Sequence, residues 1–491
     1  MAALAVRTNG GVRVVKLKEQ CAVFGIHGVE DAAQVAYLGL YALQHRGQES
    51  SGIVTSDGAK VFEHRALGLV AEVYDREILA GLKGRMAIGH NRYSTMGLSS
   101  TVNVQPLLVD CKVGKIAVAH NGNLVNAVEL RRGMEMDGSI FRSTTDSEVI
   151  LHLIARSRRS TLEDMIMEAL GKVQGAFSLV FLTKDAVIAA RDPWGFRPLC
   201  LGRLDDAYVF ASESCAFDLI GAMYLREIAP GEICALGPGG PQFMRFAEPE
   251  KRLMQCIFEF IYFSRPDSKV FGENVDKVRR RLGRRLAEES PVEADIVIAV
   301  PDSSNTIALG YSERSKLPFE LGLIRNHYVG RTFIQPRQSM RDWDVRIKFN
   351  PVRGVLKGKK VVVVDDSIVR GSTMRKLVSM LRQAGADKIH LRIGSPPITH
   401  SCYYGIDTPT RGELIASSHS VGQIREYLGV DSLHYLSLEG LLTCVEDPDS
   451  YCVACFSGNY PIKPNGCLHK DVFEDATGCG EGFGVQEDVK R

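Results

Sequence analysis

The sequence has no apolar run approaching the roughly 18 residues that a membrane-spanning helix needs, so no membrane partner is expected. It also lacks net charge. Sixty Lys and Arg against 58 Asp and Glu leave a formal +2, and nothing global points to nucleic acid or an acidic surface. A disulfide framework is missing as well: 12 cysteines are scattered through 491 residues, a chain too long to need stapling. That favours reduced thiols in the cytosol, with those that matter acting as ligands or nucleophiles. Most others, among them Cys111, Cys200, Cys215 and Cys234, read as small buried hydrophobes. Residues 1–20 have no secretory apolar core and no clear basic amphipathic helix, so a disordered leader or removable pro-segment fits them better than a targeting signal. There is no internal repeat. Neither GxGxxG nor GxxxxGK[ST] occurs, which removes the Rossmann and P-loop readings.

What is present is globular, 45% hydrophobic and 24% charged, and its length calls for two domains. From 21 to 250, short apolar runs such as CAVFGIHG, IAVAHNG, FSLVFLTKD and AYVFASES alternate with Gly-rich breaks. With helices expected at 145–157 and 161–172, this texture reads as antiparallel sheets layered with helices. A turn-rich, then charged stretch near 235–255 marks the join. From 251 to 456 continuous β-branched runs, ADIVIAVPDSS and KKVVVVDDSIVRGST, alternate with amphipathic helices near 274–289 and 304–315. That pattern means buried parallel strands in an α/β domain. The Gly-rich, polar segment 457–491 is expected to be a loose tail.

Two groups of residues carry chemistry. The first is Cys21, followed by LQHRGQES (43–50), GHNRYST (89–95), AHNGNL (119–124) and TTDSE (144–148). Amide hydrolysis needs a nucleophile, a base, an oxyanion hole and a clamp for the charged end of the substrate. Cys21 can attack a carboxamide. If it became the first residue, its own α-amine, with an ordinary pKa near ~8, would serve as base. Asn121 and the Gly122 N–H suit an oxyanion, Arg92 a carboxylate and Asp146 an ammonium.

The second group is VVVVDDSIVRGST (361–373): a buried strand, two adjacent acids at its carboxyl end, and a hydroxyl-rich loop opening a helix. Ligands bind at the carboxyl ends of strands in open α/β sheets, and helix N-termini receive phosphate. The acids suit ribose hydroxyls, directly or through Mg²⁺. An acidic helix cap would explain Asp366 alone, not both acids with Arg370 and the hydroxyls. VPDSS (300–304) ends another buried strand and offers groups for pyrophosphate. RNHYVGRTFIQPRQSMR (325–341) is basic and aromatic, hinged by Gly330.

The spacing in the first half resembles the class II glutamine amidotransferases of the N-terminal-nucleophile group. That resemblance implies an αββα sandwich and removal of residues 1–20. It makes Cys21 the nucleophile, places Arg92 and Asp146 on glutamine and Asn121 and Gly122 in the oxyanion hole, and has Arg46 shaping the site. The second half is similar to the type I phosphoribosyltransferases, which implies a parallel-sheet domain binding phosphoribosyl pyrophosphate. Asp365 and Asp366 would grip the ribose, and Ser367, Arg370, Gly371, Ser372 and Thr373 would cradle the 5-phosphate. Ser303 and Ser304 would meet pyrophosphate, with Mg²⁺ on Ser304, Asp365 and Asp366. Segment 325–341 would be a mobile lid with Arg325 and Arg331 as its cations.

The two halves in this order resemble the glutamine phosphoribosylpyrophosphate amidotransferase family. The resemblance implies phosphoribosylamine synthesis, the first committed step towards purines, in a homotetramer inhibited by purine nucleotides. Free ammonia would protonate in water, so such chemistry also calls for a sealed passage. Cys452 and Cys455 form a C-x-x-C whose spacing alone leaves zinc, redox and chance readings open. In one branch of the family that pair joins two further cysteines around a [4Fe–4S] cluster, and Cys256 and Cys402 fill the matching positions. Two rivals remain. A glutamine-dependent hexosamine synthase shares the first half but not the DDSIVRGST block, and a catalytically inactive homologue would bind phosphoribosyl pyrophosphate or nucleotides as a sensor.

Overall fold

The strands of the first half read as apolar at nearly every position because both faces of each sheet are covered. The computed structural model describes residues 21–93, 100–326 and 347–463. The expected leader 1–20, Arg331 with most of the lid segment 325–341, and the tail beyond 463 lie outside the described residues.

Two antiparallel sheets form the first half. One has seven strands: β1 (Ala22–His27), β2 (Ser50–Ser56), β3 (Val61–Leu67), β4 (Met86–Arg92), β9 (Cys200–Leu204), β10 (Ala207–Ala211) and β11 (Met223–Glu227), in the order β11-β9-β10-β1-β4-β2-β3. The other has six: β5 (Leu107–Cys111), β6 (Gly114–Leu124), β7 (Gly175–Leu182), β8 (Val187–Arg191), β12 (Glu232–Gly237) and β13 (Gly240–Arg245), in the order β13-β12-β8-β7-β6-β5.

Alternate residues divide between an inner core and two outer ones. Val23, Val54, Ile88, Ala117, Ala119, Val180 and Leu182 meet between the sheets. Ala22, Phe24 and Ile26 of β1 face the other way, onto α1 (Ala32–Ala42) through Ala33, Ala36 and Leu40. On the second sheet Ile116, Val118, Phe177, Leu179 and Phe181 pack beneath α2 (Ser147–Arg156) and α3 (Leu162–Leu170). Both helices turn a helically spaced apolar stripe inward, Val149, Ile150, Leu153 and Ile154 on α2, Met165, Ile166, Ala169 and Leu170 on α3. Thr161 caps α3 by accepting the Asp164 N–H at 3.2 Å. The result is the αββα sandwich.

The α/β unit is built on β14 (Ile296–Ala299), β15 (Lys360–Asp365), β16 (Lys388–Ile393) and β17 (Ser432–Tyr435), adjacent in that order and all parallel. Val361 to Val364 are fully buried, as a parallel strand covered on both faces requires. Helix α4 (Val275–Glu289) precedes this sheet, α5 (Asn305–Ser315) follows β14, and α6 (Ser372–Gln383) follows β15.

By contacts the chain divides at Arg279/Arg280, inside α4, rather than near 250. Ser401–Thr408 and the chain from Val445 onward belong to the sandwich unit. Residues 457–463, expected to begin a loose tail, are tied down there. The Tyr404 hydroxyl donates to the Ile462 carbonyl at 2.6 Å, and the Tyr460 hydroxyl to the Ser401 carbonyl at 2.6 Å. Among the described residues no helix is long and apolar enough to cross a membrane.

Candidate functional site

Cys21 immediately precedes β1. The pairing of Ala22 with Asn91 on β4 brings it beside Arg92 and Tyr93 at the end of the neighbouring strand. The thiol is 6% exposed and donates to the Tyr93 carbonyl at 3.2 Å. Burial pushes its pKa up to about 11. The Tyr93 contact and the Arg92 charge pull it down, while Asp146 and Glu49 push it further up. Asn121 and Gly122 lie in β6, opposite Ser178 and Phe177 of β7. The Asn121 amide is fully buried, and neither its oxygen nor its nitrogen has a hydrogen-bond partner among the described residues. Gly122 has φ +153, and a Cβ there would lie 2.0 Å from the Ala176 carbonyl oxygen, so only glycine fits.

Asp146 caps the same strand from the helical side. Its Oδ2 accepts the Leu124 N–H at 2.8 Å, its Oδ1 accepts the Ser147 hydroxyl at 3.2 Å, and His120 Nδ1 stands 3.5 Å away. Burial works to raise its pKa, but the His120 imidazole, the Leu124 N–H and the Ser147 hydroxyl hold it below the usual carboxylate range. Gln105 completes this group, donating to Ser147 Oγ at 3.0 Å and accepting the His120 N–H at 2.8 Å.

Arg46 is the hub that sequence reasoning saw only in part. Its Nε donates to the Cys21 carbonyl at 3.3 Å. Its fork grips Glu259 through Nη1 at 3.0 Å and Nη2 at 2.8 Å, and Nη1 also reaches Glu213. Arg197 lies 3.5 Å from Glu259, and all four side chains are fully buried, two cations against two anions. Burial opposes the charge on Arg46, but Glu259 and Glu213 outweigh it and keep the guanidinium ionised. Neither glutamate was singled out from the sequence. The available signal was a carboxylate inside an apolar run, IFEFIYF for Glu259, because a buried charge requires a partner.

In the α/β unit Asp365 ends β15, and Asp366 follows it, each 3% exposed. Asp366 accepts the Ser303 hydroxyl at 2.6 Å on one oxygen and the Ser367 hydroxyl at 2.7 Å on the other. The ends of β14 and β15 are thereby tied together. Gly371 stands in the left-handed conformation immediately before α6, with Ser372 and Thr373 in its first turn. Three expected ligands are engaged elsewhere. The buried Ser304 hydroxyl donates to the Val300 carbonyl, Arg370 pairs with Glu413 at 2.6 Å, and Arg325 pairs with Asp302 at 2.6 Å beside a cleft lined by Pro301, Asn305 and Gly322.

Cys256 and Cys452 are register partners in a two-residue parallel ladder, and Cys455 follows in the short helix Ala454–Ser457. Cys402 and Cys452 border one aromatic cluster with Tyr403, Tyr404 and Tyr460. Burial raises the Cys455 thiol well above its ordinary value, and Cys452, Cys402 and Cys256 each raise it further. Cys256 is pushed up to about 11 by burial, with Cys402 adding to the shift. No three His, Cys, Asp or Glu side chains among the described residues surround a single ion position. Of the cysteines read as buried hydrophobes, Cys200, Cys215 and Cys234 are buried, and Cys111 at the end of edge strand β5 is only half-buried.

A family model described as a glutamine amidotransferase domain matches residues 90–218, and one described as a phosphoribosyl transferase domain matches 273–393. An amidophosphoribosyltransferase of Bacillus subtilis is 52% identical over 91% of this chain and 95% of its own. A chloroplastic amidophosphoribosyltransferase of Arabidopsis thaliana is 53% identical over 91% and 80%. Among solved structures, one described as the allosteric regulatory enzyme of purine biosynthesis superposes with TM-score 0.87 at 52% identity, covering 91% of this chain and 97% of that one. The B. subtilis glutamine phosphoribosylpyrophosphate amidotransferase complexed with ADP and GMP gives TM-score 0.86 at 52% identity over 91% and 98%. Half the residues are shared along nine-tenths of the chain, across both units, and the chain therefore belongs to the amidophosphoribosyltransferases.

Proposed function

We propose that this chain makes 5-phosphoribosylamine from glutamine and phosphoribosyl pyrophosphate, the first step of purine synthesis, with the following division of labour. Glutamine is held by Arg92 on its α-carboxylate and Asp146 on its ammonium. Cys21 Sγ attacks the side-chain carboxamide, ammonia leaves, and water hydrolyses the resulting thioester to glutamate. Asn121 Nδ2 and the Gly122 N–H hold the oxyanion of each tetrahedral intermediate. Once residues 1–20 are removed, the free amine of Cys21 carries the proton from thiol to leaving group. Arg46 fixes the Cys21 carbonyl, and with it the direction of the thiol.

In the α/β unit Asp365 and Asp366 bind the ribose hydroxyls, and Ser367, Arg370, Gly371, Ser372 and Thr373 the 5-phosphate. Ser303 and Ser304 lie on the pyrophosphate side, and Arg325 and Arg331 complete the clamp. Asp365, Asp366 and Ser304 would hold Mg²⁺, which neutralises charge on the departing pyrophosphate when bound. A carboxylate pair at 3% exposure, of which Asp366 already accepts two hydroxyls, is a donor set of the right hardness for it. Ammonia displaces pyrophosphate at C1, and the side chains contribute positioning and charge complementarity.

Cys256, Cys402, Cys452 and Cys455 would hold a [4Fe–4S] cluster. A four-iron cluster gives each cysteine its own iron, so the fit is judged by four converging thiols rather than by one ion position. Two buried thiols, Cys256 and Cys455, stand with two half-buried ones, Cys402 and Cys452, and Cys452, Cys402 and Cys256 each raise the pKa of Cys455, which favours a cationic centre. Neither half-reaction transfers electrons, so its contribution is structural. No two of the ten described cysteines form a disulfide, which supports a cytosolic setting. The homotetramer and inhibition by purine nucleotides also belong to this reading; a B. subtilis relative was solved with ADP and GMP. The phosphoribosyl transferase match argues against a hexosamine synthase, and nothing in the comparisons favours an inactive sensor.

The observation that carries the glutamine site is the buried amide of Asn121, unpartnered among the described residues, because such a group is costly unless a ligand completes it. Cys21→Ala tests the whole scheme. Glutamine-dependent pyrophosphate release should fall by about 10³ or more, while ammonia-dependent release persists. Persistence of the glutamine-dependent rate would remove Cys21 from its role.

A further inference from the structure

Segment Ser401–Thr408 packs with the sandwich although more than a hundred residues of the α/β unit precede it. It meets β6, the strand carrying Asn121 and Gly122, and the segment between β8 and β9. The Tyr403 carbonyl accepts Asn123 Nδ2 at 2.9 Å. The Tyr404 carbonyl accepts Arg197 Nε at 2.9 Å, and the Tyr404 ring, 2% exposed, stacks on Phe196 with centroids 4.4 Å apart. Gly405, at φ +97, lies directly against Gly122. A Cβ built on it would stand 2.9 Å from the carbonyl carbon, 3.0 Å from Cα and 3.1 Å from the oxygen of Gly122.

Gly122 is blocked on another side as well, since its own Cβ would meet the Ala176 carbonyl oxygen. Its Cα and carbonyl therefore lie between two other stretches of backbone, one from β7 and one from 401–408. An oxyanion donor is effective only when it already points where charge will develop, so that nothing reorganises in the transition state. A residue whose Cα and carbonyl are confined in this way holds the N–H attached to that Cα in one direction, which meets that condition.

We propose that Gly405, seated by the Tyr403 and Tyr404 carbonyls, is a positioning residue of the glutaminase. It fixes the Cα and carbonyl of Gly122, and through that Cα the orientation of the preceding Asn121–Gly122 peptide, whose N–H is an oxyanion donor. The proposal rests on the reading of Asn121 and Gly122 as that hole.

The test measures glutamine-dependent and ammonia-dependent pyrophosphate release on full-length Gly405→Ala, Asn123→Ala and Asn121→Ala. A misdirected donor acts in the transition state, so Gly405→Ala should lower kcat with glutamine by about tenfold or more, against the roughly 10²–10³ of a donor removed outright. KM for glutamine and the ammonia-dependent rate should each change by less than about twofold. Asn123→Ala, which only cuts the bond to Tyr403, should move kcat the same way by a smaller factor. An unchanged kcat in Gly405→Ala overturns the proposal, as does a parallel fall of both nitrogen sources in Asn123→Ala. If Gly405→Ala loses the ammonia-dependent rate through misfolding, Asn123→Ala decides by the same split. If Asn121→Ala spares the glutamine rate, the oxyanion assignment itself falls. If it removes that rate while Gly405→Ala does not, only the positioning role falls.

Discussion

At the scale of single residues, Cys21 is poorly ionised while other chain precedes it. With burial holding its pKa at about 11, roughly one thiol in 10⁴ is thiolate at pH 7. Alkylation of Cys21 in the full-length chain, followed by peptide mapping, should therefore be slow at neutral pH and rise about tenfold per pH unit towards 11. The reaction rate of an ordinary surface thiol at pH 7 would contradict this. Arg46 was legible because it sits in LQHRGQES, whereas its anions lie 167 and 213 residues away and no local pattern announces them. Removing one partner of a buried pair leaves an uncompensated charge. Glu259→Ala should therefore cost about 3–5 kcal/mol in urea unfolding, and a loss under 1 kcal/mol would mean that Glu213 alone balances the buried guanidinium of Arg46.

At the scale of elements, the strands were legible as strands, but the faces they present were not. Period-2 alternation is visible only when one face meets water, and β1, β6 and β7 are apolar on both. The β15–α6 joint was clearer, because a buried run ending in two acids and a hydroxyl loop admits few geometries. How a helix start is secured is a finer matter, and Glu148 shows it. Its carboxylate accepts the Arg142 and Ser143 N–H groups at 2.8 and 2.7 Å and the Ser143 hydroxyl at 2.6 Å, bracing the loop that carries Asp146. Burial works to raise its pKa, but His152, Ser143 and the two N–H groups bring it to about 2. A depressed folded-state pKa contributes stability that is complete above the unfolded value, near 4.5, and is lost as pH falls towards 2. Glu148→Gln should thus flatten the decline in unfolding free energy between pH 4.5 and 2, and an unchanged slope would assign that decline to other carboxylates.

At the scale of the whole molecule, the sequence suggested two consecutive blocks, and the contacts instead make the sandwich unit discontinuous. Composition marks a change of texture near 250 but cannot report that 401–408 and 445–463 return to the first unit, since such pairings leave no local trace. A fragment of residues 21–250 would lack Glu259, the partner of buried Arg46 and Arg197, and the Tyr404 carbonyl that Arg197 holds. It should bind hydrophobic dyes and unfold with a shallower denaturant slope than the full chain. A fragment with a sharp transition at the full-length midpoint would show that the returning segments are dispensable. The same discontinuity sets a timetable for synthesis. A ribosome adding about 5–20 residues per second has already released Cys21 and the last strand of its sheet, which ends at Glu227, some 10–45 seconds before residue 445 emerges. The unit that carries Cys21 is thus completed only after the α/β unit has been translated. A chain cut short before residue 401 would carry every glutamine-site residue named from the sequence but none of the 401–408 and 445–463 segments that belong to the same unit.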